Sequence, residues 1–373
     1  MPKTNQKPQD TMPALSQPHQ AGDCIGFTGG RVSYLAPLPL PTGQPAEDYA
    51  HAIGEVNDTY LAFGGGLPAA FGWQLPLGVS FFIGLFMPMV LFPLITIVLV
   101  TMAGGTVTDA KEISWGIFQL GVKFGSLGTI FFLGLSLYVW FRDDQKLQNI
   151  VTSRFNRQRR EISFIPEGQT EPIFIPWESL SAWVIEAQGV TQYGVQRQYA
   201  MGVGFHHAES GEEYSLEFVC GGLPLAIANW EAIRAYMEYE VHTLKDIQDP
   251  LDLQGPNDPP HEGLHTFHNA RARMRRRYRE GEVGKWYVLS WYFYHLMTLW
   301  TIPFHITEWE IRRVKRLLKR KVPIAVQEWS QSLPPERWAK PSAELQRQTE
   351  KLAQLRQRHP KRDIFELFKE VRH

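Results

Sequence analysis

The chain has 373 residues, and its 38 Lys and Arg are matched by 38 Asp and Glu, so the formal net charge is zero and nothing overall points to nucleic acid. Two cysteines, Cys24 and Cys220, are too few for a disulfide framework and fit a reducing compartment. The first 20 residues lack an apolar stretch followed by a small-residue cleavage site, so no signal peptide is expected and internal segments must direct any insertion.

Residues 1–70 are rich in Pro, Gly and Gln, which predicts a partly disordered region; only 24–40 has the apolar pairs to add a strand to a downstream domain. A transmembrane hairpin is expected over 71–141. Residues 75–101 carry no ionisable side chain, and a helix needs roughly 20 apolar residues to cross the hydrocarbon core. Pro76 suits a first turn, whereas Pro88 and Pro93 lie inside and predict kinks. A loop with Asp109, Lys111 and Glu112 leads into a second apolar run, 113–141. Gly121 and Gly125, four apart, predict close packing on the first helix, or alternatively a homodimer face.

Lys123 is the odd residue, about 15 Å from the loop end at helical rise. It reads as an ion path or a pairing point for a partner helix, or, more plainly, as a lysine on a polar contact or water defect. Arg142, Lys146, Arg154, Arg157, Arg159 and Arg160 follow the second run, against one lysine in the loop. The positive-inside rule therefore places both termini in the cytoplasm.

Residues 142–250 predict a β-rich cytoplasmic domain. Strands are expected at 160–165, 172–176, 181–185, 199–206 and 213–219, the last two joined by a Ser210-Gly211 turn. An amphipathic helix over 225–244 closes the set. Strand order and spacing resemble the small barrel of pleckstrin-homology-like domains. The fold class is thus an α+β membrane protein: a two-helix hairpin, a small antiparallel barrel-like domain and a helical C-terminal region.

A Pro/Asp-rich linker at 251–264 introduces the most unusual composition, 265–373. Between 265 and 325 there are 14 Lys and Arg against 4 Glu, and nine aromatics fall between 285 and 309. Arg271, Arg273, Arg275, Arg276, Arg277, Arg279, Arg312 and Arg313, with Trp286, Trp291 and Trp300, predict an interfacial helix pair on anionic lipid. A third span at 286–306 would carry a dense basic flank across the bilayer, against the positive-inside preference. A soluble aromatic core is the remaining alternative; nucleic acid is not expected for a tethered chain. The tail predicts helices at 342–358 and 363–371. Asp143 and Asp144 read as a solvated helix end, and His206, His207 and Glu209 as a surface turn.

One motif carries chemistry. His261, Glu262 and His265 match H-E-x-x-H, in which helix-borne histidines four apart ligate zinc and the glutamate activates water. A third ligand at metzincin spacing would fall at Arg271, which cannot ligate; His268, one turn on, is a candidate outside that pattern. Pro259 and Pro260 before the motif and Gly263 within it argue against a helix there, so no enzyme and no cofactor are expected, with a zinc-dependent membrane peptidase as the alternative.

The Pro-rich start, the Gly/Pro-rich hairpin, R-F-N-R-Q-R-R-E at 154–161, I-P-W-E at 175–178 and F-H-N-A-R at 267–271 are similar to an uncharacterised family of proteobacterial two-span inner-membrane proteins. Members often sit beside type VI secretion toxin loci. The resemblance implies a non-enzymatic immunity or accessory protein whose cytoplasmic domain binds a toxin or secretion component. A third expectation is an anionic-lipid sensor or transport accessory.

Overall fold

A computed structural model describes residues 19–147, 152–166, 169–191, 194–248, 253–255 and 257–372. The chain divides into two compact units. One gathers 1–66, 151–249 and 320–373, and the other gathers 67–150 and 250–319. The expected boundaries at 70, 142, 251 and 265 follow chain order, but the domain draws its sheets from both sides of the hairpin and takes back the tail from residue 320.

The first unit holds two five-stranded antiparallel sheets. In one, β1 (Cys24–Phe27), β2 (Gly30–Ala36), β8 (Ser181–Thr191), β9 (Gly194–His207) and β10 (Glu212–Cys220) lie side by side in that order. In the other the order is sequential: β3 (Ile53–Val56), β4 (Tyr60–Phe63), β5 (Ser153–Asn156), β6 (Glu161–Phe164) and β7 (Ile173–Pro176). Neither sheet closes into a barrel, so the barrel-like expectation is corrected to two open sheets. The N-terminal region supplies four strands, where one was expected; the part expected to be disordered at its start lies outside the described residues.

Helix α3 (Leu223–Met237) packs on β8, β9, β10 and β5, and all twelve of its residues from Ala226 onward are buried. It ends at Met237, earlier than expected. Trp230 on α3 stacks on Trp177 at 5.3 Å, Trp177 meets Phe155 at 6.1 Å, and Phe155 meets Phe63 at 5.8 Å, so aromatic contacts run from helix to second sheet.

The strand missed in the sequence, β5, opens the basic run 154–160. Its arginines look like a membrane flank but fold inward: Arg154, Arg157 and Arg160 are under 10 % exposed. Arg157 lies over the rings of Tyr236 and Tyr239 at 4.8 and 4.7 Å and donates to the carbonyls of Asp58 and Val241. Arg160 donates to both carboxylate oxygens of Glu238 and to Glu178. Asn156 donates to Trp329 O, Arg154 donates to Ser330 Oγ, and Arg159 donates to Trp329 O, which brings in the returning tail after α7 (Ile324–Trp329). Helix α8 (Ala343–Arg358) is capped by Ser342, and α9 (Ile364–Arg372) buries Phe365, Leu367, Phe368 and Val371. Arg372 pairs with Asp23 at 2.8 Å, fastening the C-terminal helix to the segment before β1.

The second unit contains α1 (Phe71–Met102) and α2 (Val107–Gln145), both long and apolar enough to cross a membrane. Only 11 % and 6 % of their most apolar windows are buried, whereas a soluble core helix would be covered. Thr106 and Asp109 form a capping box that turns the chain into α2. Both helices widen to π-type turns where they cross, at Phe82–Leu91 and Gly121–Gly125. Pro88 lacks the N–H that would bond Gly84 O, and a Cβ on Gly125 would strike that carbonyl, just as one on Gly121 would strike Pro88 O. The glycines therefore serve packing within the hairpin, the first of the two expectations for that face. Ser114 donates to Pro93 O at 3.1 Å, and Thr129 reaches Ser80 O at 3.3 Å, adding polar links between the helices.

The buried arginines generate a prediction. Arg157→Met keeps the stem but leaves two carbonyls unpaired, and should destabilise the first unit by about 2–4 kcal/mol. Denaturant unfolding of detergent-solubilised protein, followed by far-UV circular dichroism, measures it.

Candidate functional site

Helix α4 (Leu264–Arg279) begins after the H-E pair, so His261 and Glu262 lie ahead of the helix and do not share its face with His265. Gly263, the residue doubted as a helix former, is the extended N-cap. Glu262 Oε2 accepts the Ala70 N–H at 2.6 Å, at the start of α1, which commits it to holding the hairpin's entry. Leu264 N–H donates to Glu308 Oε1 at 2.8 Å. The rings of His261 and His265 are 6.3 Å apart, His261 Nδ1 lies 3.1 Å from the Glu262 carbonyl, and His268 is exposed beside Arg271. Burial lowers the His261 pKa below its ordinary value. Among the described residues no three His, Cys, Asp or Glu side chains are grouped to hold a metal. What this arrangement does is position helix ends.

A built site lies instead where the hairpin begins and ends. Glu310, on α6 (Ile302–Lys321), accepts the indole N–H of Trp73 at 2.7 Å and of Trp140 at 2.9 Å, one from each hairpin helix. Trp140 lies 6.2 Å from Trp73 and 6.0 Å from Trp309. Arg313, one turn after Trp309, lies over the rings of Trp140 and Trp309 and makes a two-point ion pair with Asp144, 2.6 and 2.7 Å. Asp144 is buried, so the expected solvated helix end is corrected: the carboxylate is the counter-ion of Arg313. Sequence reasoning missed Trp73, Trp140, Glu310 and Asp144; tryptophans flanking both apolar runs were the available signal.

Helix α5 (Lys285–Met297) lies along α1. Tyr294 donates to Gln74 Oε1 at 3.1 Å, Thr298 sits against Gly78, and Phe293 meets Phe82 and Phe86 edge-on at 6.3 and 5.8 Å. Thirteen residues rise about 20 Å, short of a 30 Å core. The chain then breaks at Leu299 and Trp300, both in the left-handed region, before α6 starts at Ile302 with Pro303 in its first turn. No continuous span runs over 286–306. Trp291 and Trp300 face inward, around Phe267 and His295; Trp286 is 80 % exposed. Burial pushes the His295 pKa down to about 4.

The basic residues part company. Arg271 lies over Phe267, Arg275 donates to Tyr292, and Arg277 pairs with Glu282 and covers Tyr287; Arg273 is half-buried. Arg276, Arg279 and Arg312 are exposed. In the hairpin, Gly121, Gly125, Pro88 and Pro93 meet at the helix contact, while Lys123 is exposed on the outer side of α2.

Two outcomes follow. Glu262→Ala should cost about 2 kcal/mol and Glu262→Gln under about 1, since the amide oxygen still accepts the Ala70 N–H. His295 is held neutral, so stability is full above its unfolded pKa near 6.5 and falls as pH drops toward 4. Thermal unfolding between pH 7 and 4.5, followed by tryptophan fluorescence, should show a loss that is smaller in His295→Leu.

No protein-family model, no curated protein and no solved structure matches the chain, so its functional reading rests on its own residues.

Proposed function

We propose that the chain is a non-enzymatic two-span protein of a bacterial inner membrane. Both termini are cytoplasmic, α4–α6 rest in the inner-leaflet interface, and the folded cytoplasmic unit binds a protein partner. The toxin or secretion component implied by the family resemblance is the partner proposed.

The observation that carries the reading is uncovered apolar surface. The outer faces of α1 and α2 expose Phe71, Leu94, Leu99, Phe124, Ile130 and Phe131, among others, and α5 adds Trp286, Leu289 and Leu296. A soluble molecule rarely leaves so large a patch open, whereas lipid covers it at no cost. The tryptophan cluster, with Arg313 and Asp144, has the character of a headgroup-level belt: amphipathic rings, two of them with their indole N–H bonded to Glu310. Exposed Arg276, Arg279 and Arg312 would meet anionic headgroups, at about 1 kcal/mol per residue.

Strand pairing supports the sidedness. Strands β4 and β5 flank the hairpin in sequence and are neighbours in one sheet, so both belong to one compartment. The tail from residue 320 folds with the same unit, which supports an even number of crossings over 250–319 and counts against a single third span. The buried arginines after α2 still count for orientation, because the positive-inside rule acts on the chain during insertion, before the domain folds.

Two measurements test this. In sealed right-side-out vesicles, Thr108→Cys, exposed in the first turn of α2 at the loop end, should react with an impermeant maleimide, while exposed Cys24 reacts only after lysis. In proteoliposomes, shallow brominated lipids should quench a fluorescence component that Trp286→Phe removes; quenching of that component by aqueous iodide alone would make α5 a water-facing surface.

A further inference from the structure

Lys123 is set at the depth where a charge is hardest to leave uncovered. Its neighbours Gly121 and Gly125 lie against Pro88 and Gly84, and Pro88 is the midpoint of the uncharged run 75–101. The hydrocarbon core is about 30 Å thick, so Lys123 is roughly 15 Å from either headgroup layer. That is further than a four-carbon stem carries an ammonium to water. The helix contact is closed by glycines, so Lys123 is turned away from α1 and exposed between Val122 and Phe124, which are exposed too. Gln119, one turn earlier, is also exposed. A Cβ on Gly116 or Gly134 would meet nothing within 4 Å, so these outer glycines leave room for a close neighbour that the hairpin does not supply.

Among the described residues, the two hairpin helices offer Lys123 no counter-ion at that depth. Helix α1 has no ionisable residue between 75 and 101, and α2 has no carboxylate between Glu112 and Asp143. Glu310 is engaged by Trp73 and Trp140, and Asp144 by Arg313, at the opposite end of the hairpin from the loop. A second copy does not solve this. Two copies related by an axis along the membrane normal would bring Lys123 to the level of its equivalent, setting like charges together in a medium of low dielectric.

We propose that the outer face of α2 bearing Gln119 and Lys123 docks a transmembrane helix of a partner protein, one that carries a carboxylate near mid-bilayer. Lys123 supplies the ion pair, Gln119 a hydrogen bond, and the outer glycines the close approach. The proposal rests on the hairpin crossing the bilayer, and it places part of the partner's recognition inside the membrane.

The test uses full-length protein in phosphatidylcholine vesicles, together with two synthetic membrane-spanning peptides. One is an all-leucine host and the other carries a single central aspartate. Energy transfer from labelled protein to labelled peptide should report at least tenfold tighter association with the aspartate peptide. Lys123→Leu, which inserts at least as readily, should lose that preference, and Lys123→Asp should transfer it to a peptide with a central lysine. Equal association with both peptides, an aspartate preference that survives in Lys123→Leu, or self-association that depends on Lys123 would each overturn the proposal. Alkaline carbonate extraction of the same vesicles separates the two readings. A chain that is extracted removes the spanning hairpin and the docking face together, whereas a chain that resists extraction yet shows no aspartate preference removes the docking face alone.

Discussion

The antiparallel pairing of β4 with β5 is the constraint from which the rest of the architecture follows. Leu61 lies opposite Phe155 and Ala62 opposite Arg154, although the whole hairpin separates them in sequence. A sheet cannot pair strands across a bilayer, because every backbone group it uses must be met on the spot. The two helices between those strands can therefore leave and return but cannot end elsewhere. The same logic binds the second excursion, since residues 329–333 hydrogen-bond back to Asn156, Gln158 and Arg159.

The segment R-F-N-R-Q-R-R-E acquires its meaning from this constraint. Each of its arginines finds a carbonyl, a hydroxyl, a carboxylate or an aromatic face, so that most of the cost of burying three guanidinium groups is offset, although Nε of Arg154 and of Arg160 has no partner among the described residues. The tail is then captured by the same residues that close the sheet. In the second unit, Glu310 plays the corresponding part: one carboxylate holds an indole from each hairpin helix, and the Arg313–Asp144 pair closes the cluster. Both units are thus organised by polar side chains placed among aromatic ones.

Much of this was legible in the sequence. The apolar runs, their prolines and the Gly121/Gly125 pair gave the hairpin and its packing face, because helix length and small-residue spacing are local properties. Strands β6 to β10 and the tail helices matched their periodicity and turns. Strands β3, β4 and β5 were not found, because four-residue strands carry little pattern and β5 is masked by its charges; distant partners such as Tyr60, Tyr236, Tyr239 and Glu238 make those arginines buriable. The two open sheets are equally non-local, since β2 joins β8 across the whole hairpin. The site at the hairpin base was hidden for the same reason: Glu310 and Asp144 look like ordinary surface acids until α6 is laid against both apolar helices.

The central claim is that both flanks of the hairpin belong to one folded unit on one side of the membrane. Protease added to sealed right-side-out vesicles, with fragments mapped by mass spectrometry, addresses it most directly. The account predicts that cleavage is confined to the loop end of the hairpin, 103–109, and that 19–66 and 153–248 are protected together until the vesicles are opened. Digestion of either flank from outside while the other stays intact would contradict it.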